Sequence, residues 1–325
     1  MKVLFINRSR NYGGFSVEEL FQTIQVELEK KGVSVLNYEY DNNKPVKSNV
    51  DKILNYDVNV FHITSSLPNL IRYLDKNKTV FTVHDINRYL FNLKGIRKMA
   101  YKWYYLQPLK KLKYITCISN TVKEDLVKYL NIMPSRIRVI YNCYRDSYSE
   151  IKKDFNIEEP RILHIGTKPW KNLDRLVIAI KDLNVKLVVI GKLNHVHNDL
   201  LKSNNIKYEN YSNLTYDEIT KQYEMADIVS FISLYEGFGM PIIEAQSLGK
   251  ALLTSNVSSM PEVSGDGAIL INPYEVNSIK EGLLLLINSA STRERLYEKG
   301  KINIKRFDPT MIGEEYFSLY QEMIN

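Results

Sequence analysis

The sequence has few of the features that would place a protein in a membrane or outside the cell. It contains no apolar run as long as a membrane span, and its start, MKVLFINRSRNYGG, lacks the apolar stretch of a signal peptide. Its two cysteines, Cys117 and Cys143, lie in apolar, strand-like surroundings, which favours small core residues over a disulfide. These absences predict a soluble, cytoplasmic protein.

Acidic residues are missing from one long stretch. The net charge is +7, and between Ile86 and Lys123 nine Lys or Arg residues occur without a single Asp or Glu. This excess favours anionic partners. Aromatic residues interleave with these cations, so residues 94–113 have three interpretations: an interfacial helix that docks on anionic lipid, a nucleic-acid patch, or a solvated basic helix.

The composition that is present is that of a globular protein. The chain has 325 residues, 44% hydrophobic and 25% charged, which favours two domains over one core. Short apolar runs such as KVLFIN, TVFTVH, RILHIG and KLVVIG alternate with segments of helical spacing, listed by number as 16–31, 121–130, 171–182 and 216–225. This order predicts an α/β fold with parallel sheets.

The polar stretch at 145–160 is the natural linker. We therefore predict two Rossmann-like domains, at 1–148 and 155–325, with the last helix able to pack back on the first domain. Ligands of open α/β sheets bind beyond the carboxyl ends of the strands. Two such domains facing each other would hold a ligand in the cleft between them.

The stretch YEGFGMPIIEA, 235–245, places Glu236 and Glu244 on either side of a Gly-Phe-Gly turn. Pro241 suits the first turn of a helix, and Gly249 suits its C-terminal cap. Backbone N–H groups at such a helix start form an anion site. Carboxylates would repel a phosphate, so we interpret them as hydrogen-bond acceptors for hydroxyl groups. In this interpretation the turn binds a diphosphate, Glu244 binds the ribose and Glu236 binds the transferred sugar. A helix cap with two solvated glutamates is the alternative.

The longer segment SLYEGFGMPIIEAQSLGKALLTSNVSSMPEVSGDGAILINP resembles the donor-binding signature of retaining GT-B glycosyltransferases of family 4. HIGTKPWKNLDRLVIAI resembles the start of that family's second domain, and ITCISNTVKEDLVKYL the end of its first. The resemblance implies two facing Rossmann-like domains and donor contacts from the turn, at Gly237, Phe238, Gly239 and Met240.

The resemblance also implies roles for the first domain. Gly13 and Gly14 follow the first strand, and in similar transferases this loop approaches the donor diphosphate and sugar. A simple tight turn is the alternative, and the sequence lacks the full G-x-G-x-x-G pattern of dinucleotide enzymes. His84 ends the strand TVFTVH, where the family position implies that the ring lies beside the reacting sugar and donates a hydrogen bond to it or to its developing charge. Asp85 would orient the ring or the loop.

Cations of the second domain follow its first strand. A cation at a helix start is disfavoured unless it serves an anion, so Lys171 is interpreted as a ligand of the leaving diphosphate. Similar enzymes carry an Arg soon after Gly166, where this chain has Thr167, which makes Lys168 only a candidate for the second phosphate contact. Asn172 is expected to cap or buttress the loop.

The sequence contains no D-x-D pair, the usual means by which a divalent ion holds a diphosphate. We therefore expect no metal and no cofactor, with fixed positive charge in their place. His195 and His197 form H-x-H in a loop-like stretch without a third ligand, so we interpret them as surface residues.

Together these features predict a retaining glycosyltransferase that moves a hexose from a nucleotide diphosphate sugar to a glycan or lipid-linked acceptor, for surface polysaccharide synthesis. The resemblance favours a peripheral position on the inner face of the membrane through residues 94–113, and no nucleic-acid partner. The resemblance implies that the acceptor hydroxyl attacks the sugar on the same face from which the nucleotide departs. A double displacement through a protein carboxylate stays open as the alternative. An epimerase or phosphorylase of the same fold, or a basic nucleic-acid-binding protein, are the rival functions.

Overall fold

The computed structural model describes residues 1–9, 16–145 and 154–325, with the side chain of Ser16 excepted. Gly13, Gly14 and much of the expected linker lie outside the described residues. The chain divides into two compact units: Met1–Arg145 with Phe307–Asn325, and Asp146–Arg306. The last helix therefore belongs to the first unit.

The first unit contains a parallel sheet of six strands in the order β2-β1-β3-β4-β5-β6. The strands are β1 Lys2–Arg8, β2 Ser34–Tyr40, β3 Val60–Ile63, β4 Thr79–Val83, β5 Tyr114–Cys117 and β6 Ile137–Val139. Its first helices are α1 Ser16–Lys30, α2 Val46–Leu54, α3 Gly95–Tyr101 and α4 Asn120–Leu130. Both cysteines are buried thiols that form no disulfide, as the sequence predicts.

The second unit repeats this construction with a parallel sheet in the order β12-β11-β10-β7-β8-β9. Its strands are β7 Arg161–Ile165, β8 Lys186–Ile190, β9 Tyr208–Tyr211, β10 Ile228–Phe231, β11 Ala251–Ser255 and β12 Ile269–Ile271. Its helices are α5 Leu173–Ile180, α6 His195–Ser203, α7 Tyr216–Met225, α8 Met240–Ser247, α9 Met260–Ser264, α10 Val276–Asn288 and α11 Ala290–Asn303. The predicted α/β alternation and parallel sheets are confirmed.

The helix that ends the chain, α12 Pro309–Ile324, packs into the core of the first unit. The Tyr320 hydroxyl lies 2.6 Å from Nδ1 of His62, whose Nε2 lies 2.7 Å from Oγ1 of Thr82. Burial lowers the pKa of His62 to about 3, so the ring is neutral at physiological pH. His62 is thus a structural residue that joins β3, β4 and α12.

The interpretation of 195–197 as a loop is wrong. His195 is exposed, but it begins α6, and His197 is buried. The backbone N–H of His197 donates to Oδ1 of Asn194, and the backbone N–H of Asn194 donates to Nδ1 of His197. This reciprocal cap uses the ring nitrogen of His197, because neutral imidazole accepts a hydrogen bond as a carboxamide does.

Across the parts of the chain that the structure describes, no helix combines the length and apolar character that crossing a bilayer requires.

Candidate functional site

The helix α8 begins where the sequence predicts. Gly239 immediately precedes it with φ of 106°, a left-handed conformation that glycine adopts without strain. Pro241 lies in the first turn, where the missing N–H costs nothing. At the other end Gly249 has φ of 68°, and the N–H of Lys250 donates to the carbonyl of Ala245 over 2.8 Å. This is the Schellman arrangement expected of a C-terminal glycine.

The glycine turn, residues 237–239, is held by serines that the sequence analysis missed. The Ser258 hydroxyl donates to the carbonyl of Glu236 over 2.7 Å, and the Ser259 hydroxyl donates to the carbonyl of Phe238 over 2.7 Å. These two bonds hold the turn in place through its backbone carbonyl groups. Amide groups at the start of a helix carry partial positive charge, so this end of α8 favours an anion.

Lys171 and Glu236 form an ion pair beside this turn. Nζ of Lys171 lies 2.7 Å from Oε1 of Glu236, with 19% and 15% of the two side chains exposed. Nζ also lies 4.6 Å from the centre of the Phe231 ring, and a Cβ at Gly239 would lie 3.0 Å from an edge carbon of that ring. A single ring thus places the ammonium group next to the start of α8.

The loop that carries Lys171 is shaped by close contacts. Gly166 follows β7 with φ of 99°, and a Cβ there would lie 2.8 Å from Cγ of Lys171. The N–H of Leu234 donates to the carbonyl of Trp170 over 2.7 Å, which ties the loop to the end of β10. Glycine at 166 therefore provides both the backbone conformation and the space for the lysine stem.

Asn172 buttresses this loop, as the sequence predicts. It is buried in the left-handed conformation, with φ of 67°. Its side-chain amide donates to the carbonyls of Ile232 and Pro273 over 3.1 and 2.8 Å. These bonds join the segments that follow β10 and β12 to the start of α5.

His164 lies buried in β7 close to this cation. Its Nδ1 lies 3.2 Å from the carbonyl of Ser230, so Nδ1 carries the proton. Burial, together with the positive charge of Lys171, lowers the pKa of His164 to about 4. A neutral ring therefore lies near the ammonium group at physiological pH.

Glu244, the second carboxylate of the predicted pair, contacts a residue that the sequence analysis missed. The hydroxyl of Tyr223, at the end of α7, donates to Oε2 of Glu244 over 2.6 Å. Tyr223 is fully buried, whereas Glu244 is half-buried on α8. The tyrosine had been part of an ordinary helical pattern, and nothing in that pattern identifies its partner.

His84 lies in the first unit, where it follows β4. Its Nε2 lies 2.7 Å from the carbonyl of Thr64, so Nε2 carries a proton. Burial lowers the pKa of His84, which leaves the neutral ring with Nδ1 as its acceptor nitrogen. The carboxylate of Asp85 accepts from the N–H of Asn87 over 2.9 Å, so Asp85 orders the loop.

The structure brings some predicted residues together within the second unit. Lys171, Glu236 and the glycine turn are neighbours, and Glu244 follows within α8. Lys168 is exposed in the same loop as Lys171. The arrangement offers a cation and amide groups for an anion, next to carboxylates that accept hydrogen bonds from hydroxyls.

Two models of known protein families together match nearly the whole chain. Residues 148–303 match the family described as glycosyl transferases group 1, and residues 18–147 match glycosyltransferase family 4.

Curated relatives share part of this likeness. An uncharacterized glycosyltransferase of Methanocaldococcus jannaschii is 31% identical over 199 residues, which are 59% of this chain and 55% of that protein. The O-antigen chain mannosyltransferase of Salmonella typhimurium is 27% identical over 213 residues, which are 62% of this chain and 59% of that protein. The chain therefore spans little more than half the length of these relatives.

Solved structures share the fold at low sequence identity. Sucrose-phosphate synthase of Thermosynechococcus elongatus superposes with a TM-score of 0.81 at 14% identity, over 99% of each chain. The Anabaena protein HepE in complex with UDP and glucose superposes with a TM-score of 0.75 at 16% identity, over 99% of each chain. These likenesses confirm the GT-B fold that the sequence predicts.

Proposed function

Because the chain belongs to the glycosyltransferases of group 1 and family 4, we propose that it moves a hexose from a nucleotide diphosphate sugar to a hydroxyl group. The acceptor is a glycan or a lipid-linked glycan in the synthesis of a surface polysaccharide. The Salmonella relative is named for mannosyl transfer in O-antigen chains, and the Anabaena structure holds UDP and glucose, which supports this class of donor and product.

The observation that carries the proposal is the Lys171–Glu236 pair beside the start of α8. The ammonium group and the amides of the glycine turn bind the diphosphate and stabilise its charge as the glycosidic bond breaks. Glu236 accepts hydrogen bonds from hydroxyls of the transferred sugar, while remaining close enough to Lys171 to orient it. These interactions strengthen as negative charge develops on the departing phosphate, so they accelerate the reaction.

Glu244 binds the ribose, because a carboxylate accepts two hydrogen bonds from a vicinal diol. His84 contributes through Nδ1, which in the neutral ring accepts a hydrogen bond from a sugar hydroxyl. This differs from the donor role considered from the sequence, since the carbonyl of Thr64 occupies the N–H of the ring.

We propose that the anomeric configuration is retained and that no metal takes part. The missing D-x-D pair and the placement of Lys171 support fixed charge as the counterion of the diphosphate. A transfer assay with chelator tests the second point: activity lost in chelator and restored by magnesium would contradict it. The anomeric signal of the product in NMR tests the first.

The direct test of the function is a panel of nucleoside diphosphates and their hexoses, scored by the shift in melting temperature. Binding to the folded state raises the melting temperature by mass action. We expect nucleotides of one base to raise the melting temperature of wild type. The shift given by the matching nucleotide sugar should be mostly lost in Glu236→Gln. A labelled donor incubated without acceptor distinguishes the rival epimerase, which needs none. If no member of the panel stabilises the protein, the proposed function fails.

We also propose that the chain works at an anionic membrane surface. Ile96, Met99 and Trp103, spaced by three and four residues from α3 onward, expose 83%, 72% and 77% of their surface. None of residues 95–101 is buried. Exposed apolar side chains on one helical face, flanked by lysines and arginines, are typical of helices that lie in the headgroup region.

The neighbouring aromatic residues support this orientation by packing against each other. Tyr101 and Tyr105 stack with ring centres 4.9 Å apart, and the Arg72 guanidinium lies 4.4 Å from the centre of the Tyr104 ring. With no acidic residue between 86 and 123, the surface formed by residues 94–113 complements anionic headgroups.

Vesicle flotation tests the membrane proposal. Wild type should float with vesicles that contain phosphatidylglycerol. With vesicles of phosphatidylcholine alone it should remain in the bottom fraction of the gradient. The triple variant Ile96→Ser/Met99→Ser/Trp103→Ser should lose flotation. A matched control, Leu54→Ser/Met133→Ser/Met311→Ser, removes exposed apolar groups elsewhere on the same unit and should float. Unchanged flotation of the first variant, or tight oligonucleotide binding in place of vesicle binding, would contradict the proposal.

A further inference from the structure

Tyr223 lies behind one of the two proposed donor-binding carboxylates. Its hydroxyl donates to Oε2 of Glu244 over 2.6 Å, which is the length of a charge-assisted O–H···O bond. The Tyr223 side chain has no exposed surface, so the donor side of the bond is shielded from water. A shielded bond to a charged acceptor restrains the carboxylate more than a solvated one does.

The helix that carries Tyr223 is fixed relative to α8 at a second point. Nζ of Lys250, which follows the C-terminal turn of α8, donates to the carbonyl of Glu224 over 2.8 Å. Lys250 is itself buried. Two hydrogen bonds therefore join the end of α7 to α8, one to Glu244 in the middle of the helix and one from Lys250 just beyond its C-terminal turn. The tyrosine hydroxyl consequently has a defined position from which to hold the carboxylate.

The protonation states suit this geometry. Burial raises the pKa of Tyr223 well above its ordinary value, and the negative charge of Glu244 raises it further. The phenol therefore keeps its proton and acts as the donor across the physiological range. Glu244 accepts this bond, so the carboxylate plane is set by the protein before any ligand arrives.

We propose that Tyr223 is a positioning residue that orients Glu244 toward the ribose diol of the donor. This rests on the proposed function, in which Glu244 accepts hydrogen bonds from the ribose. A free glutamate side chain would have to be ordered when the nucleotide binds, and that ordering would weaken binding. Tyr223 completes the ordering during folding, so the selectivity for ribose hydroxyls depends on the tyrosine hydroxyl.

The test compares ribose with deoxyribose. UDP, GDP and ADP are titrated by calorimetry, each beside its 2′-deoxy form, against wild type, Tyr223→Phe and Tyr211→Phe. Wild type should bind the preferred ribonucleotide about tenfold more tightly than its deoxy form, as expected for one hydrogen bond to a charged group. In Tyr223→Phe this ratio should fall to threefold or less, while binding of the deoxy form is nearly unchanged.

Tyr211→Phe is the matched control because the Tyr211 hydroxyl donates to Oε2 of Glu209 over 3.0 Å, a tyrosine–glutamate bond elsewhere in the same unit. It should keep the wild-type ratio. A double-mutant cycle adds a second measurement: in a Glu244→Ala background, Tyr223→Phe should cause no further loss of binding. A purely structural tyrosine would weaken both nucleotides equally and would do so in either background.

The outcomes separate the two proposals. A full ribose preference in Tyr223→Phe overturns the positioning role and leaves the proposed function intact. If wild type binds ribo and deoxy forms equally, Glu244 does not bind the 2′-hydroxyl of the ribose, and this inference fails with that assignment. If none of the three nucleotides binds, the proposed function itself fails.

Discussion

The ammonium group of Lys171 and the carboxylate of Glu236 lie 2.7 Å apart although 65 residues separate them in sequence. Lys171 follows β7 and Glu236 follows β10, and these strands are neighbours in the sheet. Parallel strands bring their carboxyl ends to the same edge, so the two loops meet there. A partly buried ion pair costs desolvation and is weak evidence for stability, which favours a role in binding.

We expect Lys171→Ala to lower kcat about 100-fold or more, the loss typical of one group that stabilises developing charge. Glu236→Gln should lower kcat by a similar factor, because the neutral amide neither orients the ammonium group nor binds sugar hydroxyls as strongly. Steady-state kinetics with the donor found in the nucleotide panel measures both variants.

Lys207→Ala is the matched control for this pair. Nζ of Lys207 lies 2.6 Å from Oε1 of Glu159, but both side chains are exposed, so the pair contributes little. Its kinetics should equal those of wild type. The double variant Lys171→Ala/Glu236→Gln should lose less than the product of the single losses, since the two groups act together. Wild-type rates in either single variant would contradict the site assignment.

Residues of the candidate site could be predicted from the sequence where the residue type is unusual for its place in a helix or turn. Lys171 at a helix start conflicts with local preference and so points to a ligand, and Gly237 and Gly239 ahead of Pro241 mark a turn that begins a helix. Tyr223 and Phe231 satisfy their helix and strand patterns completely. Their contacts depend on which strands and helices become neighbours, and one sequence does not contain that information directly.

The same physical reason explains which strands were found. Interior strands such as β4 and β10 are buried along their length and mainly apolar, whereas β2 and β9 each form one edge of their sheet. β9 has the sequence YENY, and β2 alternates buried and exposed positions in SVLNYEY. An edge strand exposes one side to water and can form without a continuous apolar run, so a search for such runs misses β2 and β9.

Gly166 should affect activity as well as stability. Its φ of 99° strains any other residue, and a Cβ would lie 2.8 Å from Cγ of Lys171. Gly166→Ala should therefore displace Lys171 and lower kcat/KM, measured together with the free energy of unfolding in urea. Gly32→Ala is the control, because φ there is 77° but no atom lies within 4 Å of the added Cβ. It should cost about 1 kcal/mol of stability and no activity.

If both glycine variants lose activity equally, the effect follows from destabilisation and not from Lys171. If Gly166→Ala keeps full activity, the lysine stem tolerates displacement, and the proposed close fit at Gly166 is unnecessary for function.

Two buried histidines should make the protein sensitive to acid. Burial lowers the pKa of His62 to about 3 and that of His164 to about 4. The unfolded chain binds these protons near the ordinary value of 6.5, so acid favours the unfolded state. Stability should be constant above that pH and fall below it, by up to about 1.4 kcal/mol per pH unit for each histidine. The loss should end once the folded state also binds the protons.

Urea unfolding at several pH values measures this dependence. His164→Gln should give a shallower decline between pH 6 and 4 than wild type, because one proton-binding group is gone. The exposed His195→Gln is the control and should leave the slope unchanged. An identical slope in His164→Gln and wild type would show that His164 is protonated in the folded protein.

The bond between Tyr320 and His62 should fix α12 to the first unit. Because burial raises the pKa of Tyr320 well above its ordinary value, the phenol donates to Nδ1 of His62. His62 Nε2 then donates to Thr82, whose hydroxyl lies 2.6 Å from that of Thr116. This chain of bonds joins α12 to β3, β4 and β5 in one direction, and each donor depends on the one before it.

Tyr320→Phe keeps the ring but leaves Nδ1 of His62 buried without its donor, so the free energy of unfolding should fall by about 1–3 kcal/mol. Tyr73→Phe, at an exposed tyrosine of the same unit, should change it by less than about 0.5 kcal/mol. In a His62→Leu background the Tyr320→Phe change should cost less, since no ring nitrogen is left without a partner. An equal cost in both backgrounds would mean that the tyrosine hydroxyl stabilises α12 through some other group, and the proposed direction of the chain would be wrong.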